Sequence, residues 1–343
     1  MVSEPSEGTE AWYWRQLMKV GILKMQVRVV YLIDGEPKGS GGKPLKTQIR
    51  DARPRFEREI RESRPTVVVP MGTEPFYSVT GINEGIFDTR GYLIRKHLFK
   101  PLMHEVWQQF GTYKQASKAT SAKAGDPKMK WVKQEAPALL GDVTVIPTFT
   151  LDYIRMGQFE AAPAFAEDIK RAHRCVEGEL REMKLTEVIE TFDGLPHVDK
   201  LGLLVAVDIE THGVDNEVID LVSFSDGKYT ASLEWGEEVR CYIEAIFANS
   251  ERLIAVHNSP FDIPRLISNG VKIAQGMLDR NVFCTMFGAV QVQPDLHKAL
   301  GRVASLYLDI EPWKTASRRA DSHWRAMVKA NPRVYSAKDS FNT

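Results

Sequence analysis

The sequence predicts an α/β protein in two parts. Three observations lead there. Short runs rich in Val and Ile alternate with longer, polar, helix-compatible stretches over the first two hundred residues. From about residue 200, three strand-like runs follow one another across Gly-containing turns, as in a meander. The chain has 343 residues, 43% of them hydrophobic, which is enough for two cores. The expected division is 1–184 for the first domain, 185–200 for the join, with a turn at Asp193-Gly194, and 201–343 for the second.

In the first part, residues 27–33 read as a strand and 34–46 as a loop rich in Gly, Lys and Pro. A polar helix follows over 47–62, with Pro54 marking its start or a kink. The Val run at 66–70 reads as a buried, parallel-type strand. Met71-Gly72 then opens a short helical stretch toward Val79. A further strand is expected at 143–147. A long helix is expected over 161–184, with Pro163 as its one misfit.

In the second part, residues 203–207 are a buried strand. Period two places Asp208 and Glu210 on one face beyond it and Ile209 on the other. Strands over 218–225 and 228–233 complete the meander, turning at Asp226-Gly227. A short apolar run, 253–256, leads to His257, Asn258, Ser259, Pro260, Phe261 and Asp262, where Pro260 ends any continuous strand. A helix follows over 263–267. Asp262 is either its N-terminal cap or a metal ligand, and Asn258 either a turn residue or the organiser of the loop. Tyr335 and Asp339, four apart, share one face of a last helix.

Four carboxylates carry the chemistry: Asp208, Glu210, Asp262 and Asp339, delivered from three segments. Clustered carboxylates repel one another and resist burial unless cations compensate them. A pair of hard divalent ions needs such a set, with Mg²⁺ the best fit and Mn²⁺ able to substitute. The expectation is a two-metal phosphodiesterase.

These segments resemble the proofreading 3′–5′ exonuclease domain of DNA polymerase I-like replicative polymerases of phages and bacteria, within the DnaQ-like, ribonuclease H-like group. Asp208 and Glu210 match the first exonuclease motif. Asn258, Phe261 and Asp262 match the second, and Tyr335 and Asp339 the third. LHKALGRVASLYLDIEPWK, residues 296–314, is similar to the connecting region of phage enzymes of this type. The resemblance covers about residues 200–343. It implies a ribonuclease H-like fold and two Mg²⁺ ions, with Asp208 as the shared ligand and Glu210, Asp262 and Asp339 completing the set. It also implies that Tyr335 orients the attacking water, and that Thr211, Asn258 and Phe261 meet the substrate. The implied partners are a single-stranded or frayed DNA 3′ end and a polymerase domain or subunit. The implied setting is the cytoplasm of a bacterial cell or phage-infected host. Enzymes of this kind continue past the third motif. The chain is therefore expected to be a truncated piece or one chain of a split replicase, with a last helix that frays unless supported by residues beyond Thr343 or by a partner.

The first part resembles uracil-DNA glycosylases of the iron–sulfur type. The matching segments are VVVPMGTEPFYSVTG (67–81), IFDTRG (86–91) and VIPTFTLDYIR (145–155). In that family the last motif carries a His-Pro pair that contributes to uracil excision; here Thr150 and Leu151 stand in its place. The family's early motif would fall ahead of Met1. Four thiolates hold the usual four-iron cluster. This chain has only Cys175, Cys241 and Cys284, widely spaced, so no iron–sulfur cluster is expected. The resemblance spans about residues 8–180 and implies a partial glycosylase-like domain without uracil excision.

Charge adds little globally. Lys and Arg number 45, as do Asp and Glu, so the net charge of zero gives no overall attraction to nucleic acid. Locally, six lysines lie between Lys114 and Lys133, beside Tyr113 and Trp131. Lys114, Lys118, Lys128 and Lys130 are candidate phosphate contacts; a solvated loop explains them equally well. There is no apolar run of membrane-spanning length and no secretion-signal pattern, and three scattered cysteines fit a reducing compartment. Two functions compete: a metal-dependent 3′–5′ exonuclease, and a non-catalytic DNA-binding or docking module of a replicase.

Overall fold

The computed structural model describes residues 7–40, 43–109, 129–135, 139–213, 217–314 and 330–343. The chain divides into two compact units, Met1–Leu180 and Arg181–Thr343.

The first unit contains α1 (Glu7–Lys19), α2 (Lys46–Ser63), β1 (Val67–Val68), α3 (Thr73–Thr80), α4 (Ile86–Thr89), β2 (Met103–Gln109), β3 (Met129–Glu135), β4 (Thr144–Val145), α5 (Leu151–Arg155) and α6 (Ala162–Glu177). β1 and β4 pair in parallel, with Val67 opposite Thr144, and a bridge from Met71 to Thr148 continues the ladder. Beyond it, Gly72 takes φ +94°; a Cβ there would lie 2.5 Å from the Thr150 methyl, so only glycine permits this approach. Thr150 in turn caps α5, accepting from the Tyr153 amide at 3.2 Å.

Three expectations change here. Residues 27–33 lie outside the regular ladders, where a strand was expected. A run of β-branched residues makes a strand only when a partner edge lies in register. Val27, Val29 and Val30 instead wall a cleft of about 330 Å³ together with Val67, Val69 and Pro70. The helix expected to reach residue 184 stops at Gly178, whose φ of 73° is left-handed. The antiparallel pair β2–β3, Met103 opposite Glu135, was not expected, because its polar, charged residues lack a period-two apolar face.

The second unit contains β5 (Leu204–Thr211), β6 (Ile219–Ser225), β7 (Thr230–Glu234), α7 (Glu237–Ala248), β8 (Leu253–Val256), α8 (Ser259–Ser268), α9 (Gln275–Arg280), β9 (Val282–Cys284), α10 (Thr285–Val292), α11 (Leu300–Tyr307) and α12 (Pro332–Phe341). Its sheet has the order β7-β6-β5-β8-β9. The meander β5–β6–β7 is antiparallel, while β5, β8 and β9 run parallel. Val205, Val207 and Ile209 of β5 join Val222, Phe224, Ile243, Ile246, Ile254, Val256 and Leu266 in one core. Residues 185–200 belong to this unit: the Ile189 amide donates to Thr230 O at 2.9 Å, and Ser232 N donates to Ile189 O at 3.0 Å.

The alternate residues of β5 face α12. Ser223, paired with Asp208 across β5–β6, donates from Oγ to Ser336 O at 2.8 Å. Asn331 caps the helix, accepting from the Val334 amide, and Pro332 follows as its first residue. Ser336, Ala337, Asp339 and Ser340 are all at 1% exposure or less. Fraying was expected of this helix because few residues follow Asp339. Burial of its inner face seats it on the sheet instead, which sequence spacing does not reveal.

Candidate metal centre

The parallel ladder between β5 and β8 ends at Ala206–Ala255, two residues before Asp208. From there β5 keeps β6 on one side, and the other side opens as β8 turns away through His257 and Asn258. The Ile209 amide, which a longer β8 would have bonded, donates to Asp262 Oδ1 of α8 at 3.3 Å. The gap that frees the carboxylate positions on β5 is thus filled by a third carboxylate from the next helix. Asn258 makes the turn between them with φ 70° and ψ 50°, a left-handed conformation that Asn tolerates better than most residues. Phe261 N closes the turn onto Asn258 O at 2.8 Å.

Asp208, Glu210 and Asp339 each offer a carboxylate oxygen within 4.8 Å of the others. Asp262 stands outside that group but is buried at 2% exposure, close enough for its charge to act on Asp208. Asp208 Oδ2 is buried and has no hydrogen-bond partner among the described residues. Asp339 is fully satisfied: Trp313 Nε1 donates to its Oδ1 at 2.6 Å, and Lys314 Nζ pairs with its Oδ2. The Lys314 ammonium also lies 5.2 Å from the centre of the Tyr335 ring.

The electrostatics follow from burial and like charge. Burial first, then Asp339 and Asp262, hold the Asp208 carboxyl well above the ordinary carboxylate range. Burial and Asp339 push Glu210 up to about 7. Burial lifts Asp262 to about 7 against the opposing pull of the Ile209 amide. Tyr335 is kept as a phenol by burial and by Asp339. Burial disfavours the Lys314 ammonium, but Asp339, Tyr335 and Asp208 outweigh it and hold the proton on. Among the described residues, one lysine among four acids leaves the site short of positive charge.

That shortage is the fit test for a divalent cation. The donors are all oxygen, three converge within a few ångströms, and a buried oxygen stands unpartnered. Mg²⁺ and Mn²⁺ suit this set; Zn²⁺ prefers nitrogen and sulfur, which are absent from it.

The other candidates are placed as follows. Phe261 stacks under Arg265, whose guanidinium carbon lies 3.6 Å from the ring centre. Thr211 spends its hydroxyl on Gly213 O at 2.8 Å, holding the turn after β5. Lys114, Lys118 and Lys128 lie outside the described residues, and Lys130 is placed by its backbone alone, in β3. Cys175, Cys241 and Cys284 are not joined in disulfides. Sequence reasoning missed Trp313 and Lys314 as site residues, although they end the segment that carried the resemblance. It also missed His257 as an anchor. Its Nε2 lies 2.9 Å from Lys298 O, which can only accept, so Nε2 carries the proton and Nδ1 accepts from Thr285 Oγ1 at 2.9 Å. Burial lowers this imidazole to about 4, so it stays neutral and ties the β8 end to the loop before α11.

Neither a protein-family model nor a curated protein matches the sequence. Solved structures do match. Brucella melitensis NrnC bound to pGG is 21% identical over 45% of this chain and 72% of its own, with a TM-score of 0.34. The same protein with bound Mg²⁺ is 18% identical over 44% and 72%, with a TM-score of 0.30. Escherichia coli RNase D, an exoribonuclease involved in structured RNA processing, is 14% identical over 46% of this chain and 42% of its own, with a TM-score of 0.28. No helix among the described residues is long and apolar enough to cross a membrane.

Proposed function

We propose that the second unit is a metal-dependent 3′–5′ exonuclease of ribonuclease H-like, DnaQ-like architecture. It would hydrolyse the terminal phosphodiester of a single-stranded or frayed DNA 3′ end in replication proofreading, in company with a polymerase domain or subunit. One observation carries this reading. Asp208, Glu210 and Asp339 bring three carboxylate oxygens within 4.8 Å of one another, and a buried Asp208 oxygen has no hydrogen-bond partner among the described residues. A surface cluster would be solvated, and a structural one would be neutralised from within.

Asp208, Glu210, Asp262 and Asp339 are the residues that would hold two Mg²⁺ ions, with Mn²⁺ as a substitute. Bound there, such ions acidify water and neutralise charge on a departing 3′ oxygen. Asp208 would be the shared ligand, the role that the resemblance to proofreading exonucleases implies. Tyr335, held as a phenol, can donate a hydrogen bond to the attacking water or accept one from it. Trp313 fixes Asp339 by its indole N–H. Asn258 and Phe261 shape the wall beside Asp262, where a terminal nucleotide would lie. We read the first unit as a partial uracil-DNA glycosylase-like domain used for nucleic-acid contact or docking. Thr150, where that family has histidine, serves to cap α5.

The test is degradation of 5′-labelled DNA and RNA oligonucleotides in Mg²⁺, against EDTA. Stepwise 3′ shortening is expected in Mg²⁺ only. Asp208→Ala should lower the rate on the order of a thousandfold, several kcal/mol of transition-state stabilisation, while circular dichroism stays unchanged. Wild-type rates in that variant would remove the site assignment. DNA binding without cleavage by the wild type would favour the docking-module reading. Faster shortening of RNA than of DNA would redirect the substrate class.

A further inference from the structure

Two of the carboxylates of this centre, Asp208 and Asp339, are not equivalent. Asp208 keeps an unpartnered oxygen, whereas both oxygens of Asp339 are engaged, one by Trp313 and the other by Lys314. An indole N–H can remain on one oxygen of a ligating carboxylate while the other binds an ion. An ammonium paired with that carboxylate competes with the ion, because it supplies the positive charge that an ion would bring. Among the described residues Lys314 is the cation whose charge bears on Asp208, Glu210 and Asp262 as well as on Asp339. Its side chain is 30% exposed, so a route to solvent exists when it leaves.

We propose that Lys314 is an internal counter-cation, which fills the ion position at Asp339 in the ion-free protein and must be displaced before that position loads. This rests on the reading of the cluster as a metal centre. Three consequences follow. The lysine keeps the empty site from being forced apart by its own carboxylates. It holds Asp339 and the α12 face in place for ligation. It makes loading at Asp339 a competition between an ammonium and a divalent ion, so this position is the weaker of the two while the Asp208 side loads first.

The competition predicts effects of opposite sign, which a purely structural lysine would not produce. In Lys314→Met, unfolding of the EDTA-treated protein should shift to lower temperature. The apparent Mn²⁺ affinity, read by calorimetric titration without nucleic acid, should tighten at least fivefold at the weaker position. Lys314→Arg keeps the charge and should bind Mn²⁺ no more tightly than wild type. Equal or weaker Mn²⁺ binding by the Met variant would overturn the proposal. So would Arg tightening the affinity as much as Met does. Should the Met variant fail to fold in EDTA, its Mn²⁺-saturated form is compared by chelator competition, with the same two outcomes. A wild type that shows no Mn²⁺ binding at all would remove the metal-centre reading itself and this inference with it, a result distinct from normal binding that is insensitive to Lys314.

Discussion

Each unit buries an aspartate, and the two are handled in opposite ways. In the first unit Asp168 has no exposed surface, and the protein neutralises it completely. Arg90 Nε donates to its Oδ2 at 3.0 Å and the other end of the guanidinium pairs with its Oδ1. Thr148 Oγ1 adds a bond at 2.7 Å, and Arg171 lies 3.7 Å away while donating to Gly91 O. Two arginines for one carboxylate make a closed knot that ties α6 to the segment after α4 and to the strand end at Thr148. Among the described residues of the second unit four acids share one lysine, and a buried oxygen of Asp208 is left over. Buried charge that the chain balances by itself reads as architecture. Buried charge that it leaves unbalanced reads as a place for something from outside.

The largest expected stability effect breaks the balanced side. Asp168→Ala strands Arg90 and Arg171 in the interior and should cost about 3–5 kcal/mol, read as a lower denaturation midpoint at unchanged slope. Asp208→Ala in the ion-free protein should do the reverse, since it removes a carboxyl that Asp339 and Asp262 repel and whose Oδ2 has no hydrogen-bond partner among the described residues. If both variants lose stability alike, the contrast between the two sites fails.

The second expectation is a pH dependence. Glu210 and Asp262 rise from ordinary values of 4.5 and 3.8 to about 7 in the folded protein. A raised acid binds its proton more tightly when folded than when unfolded. The folded state is therefore favoured most below those ordinary values, and that advantage is lost as pH rises to about 7. Ion-free protein should accordingly melt at lower temperature at pH 8 than at pH 5.5. Mg²⁺ replaces the protons, so the rise in melting temperature on adding it should grow over the same interval. A melting temperature in EDTA that climbs across this window would contradict the charge assignment.

The comparison also shows what the sequence could and could not disclose. The strands β5, β6, β7 and β8 were legible because buried, β-branched runs bounded by Gly turns leave little choice. Asp208 and Glu210 were legible as a pair on one face because strand geometry fixes it. The joining of Asp262 to that face was expected only through the resemblance, since physically it depends on β8 ending two residues early, and register is a tertiary fact. Lys314 lies 25 positions before Asp339, and no spacing rule links a loop lysine to a helix carboxylate. In the first unit the same limit removed the strand expected at 27–33 and hid the β2–β3 pair. The Arg90–Asp168 knot, 78 residues apart, had no sequence signal either.

The smallest expected effect concerns Trp313, which belongs to the side of Asp339 that Lys314 does not occupy. Trp313→Phe keeps most of the ring and deletes the 2.6 Å N–H bond to Oδ1. The lysine still holds Oδ2, so the carboxylate is not orphaned, and the loss should be only about 1 kcal/mol in EDTA. The consequence for the metal centre should be larger than this figure implies. With Mg²⁺ bound and Lys314 displaced, the indole would still fix Oδ1 of Asp339, and loss of such a partner typically weakens metal affinity about 10–100-fold. Calorimetric Mn²⁺ titration of Trp313→Phe should therefore show weaker binding, opposite in direction to Lys314→Met. Tightening in both would mean that Trp313 also hinders the ion and that Asp339 is clamped in a non-ligating position rather than held ready.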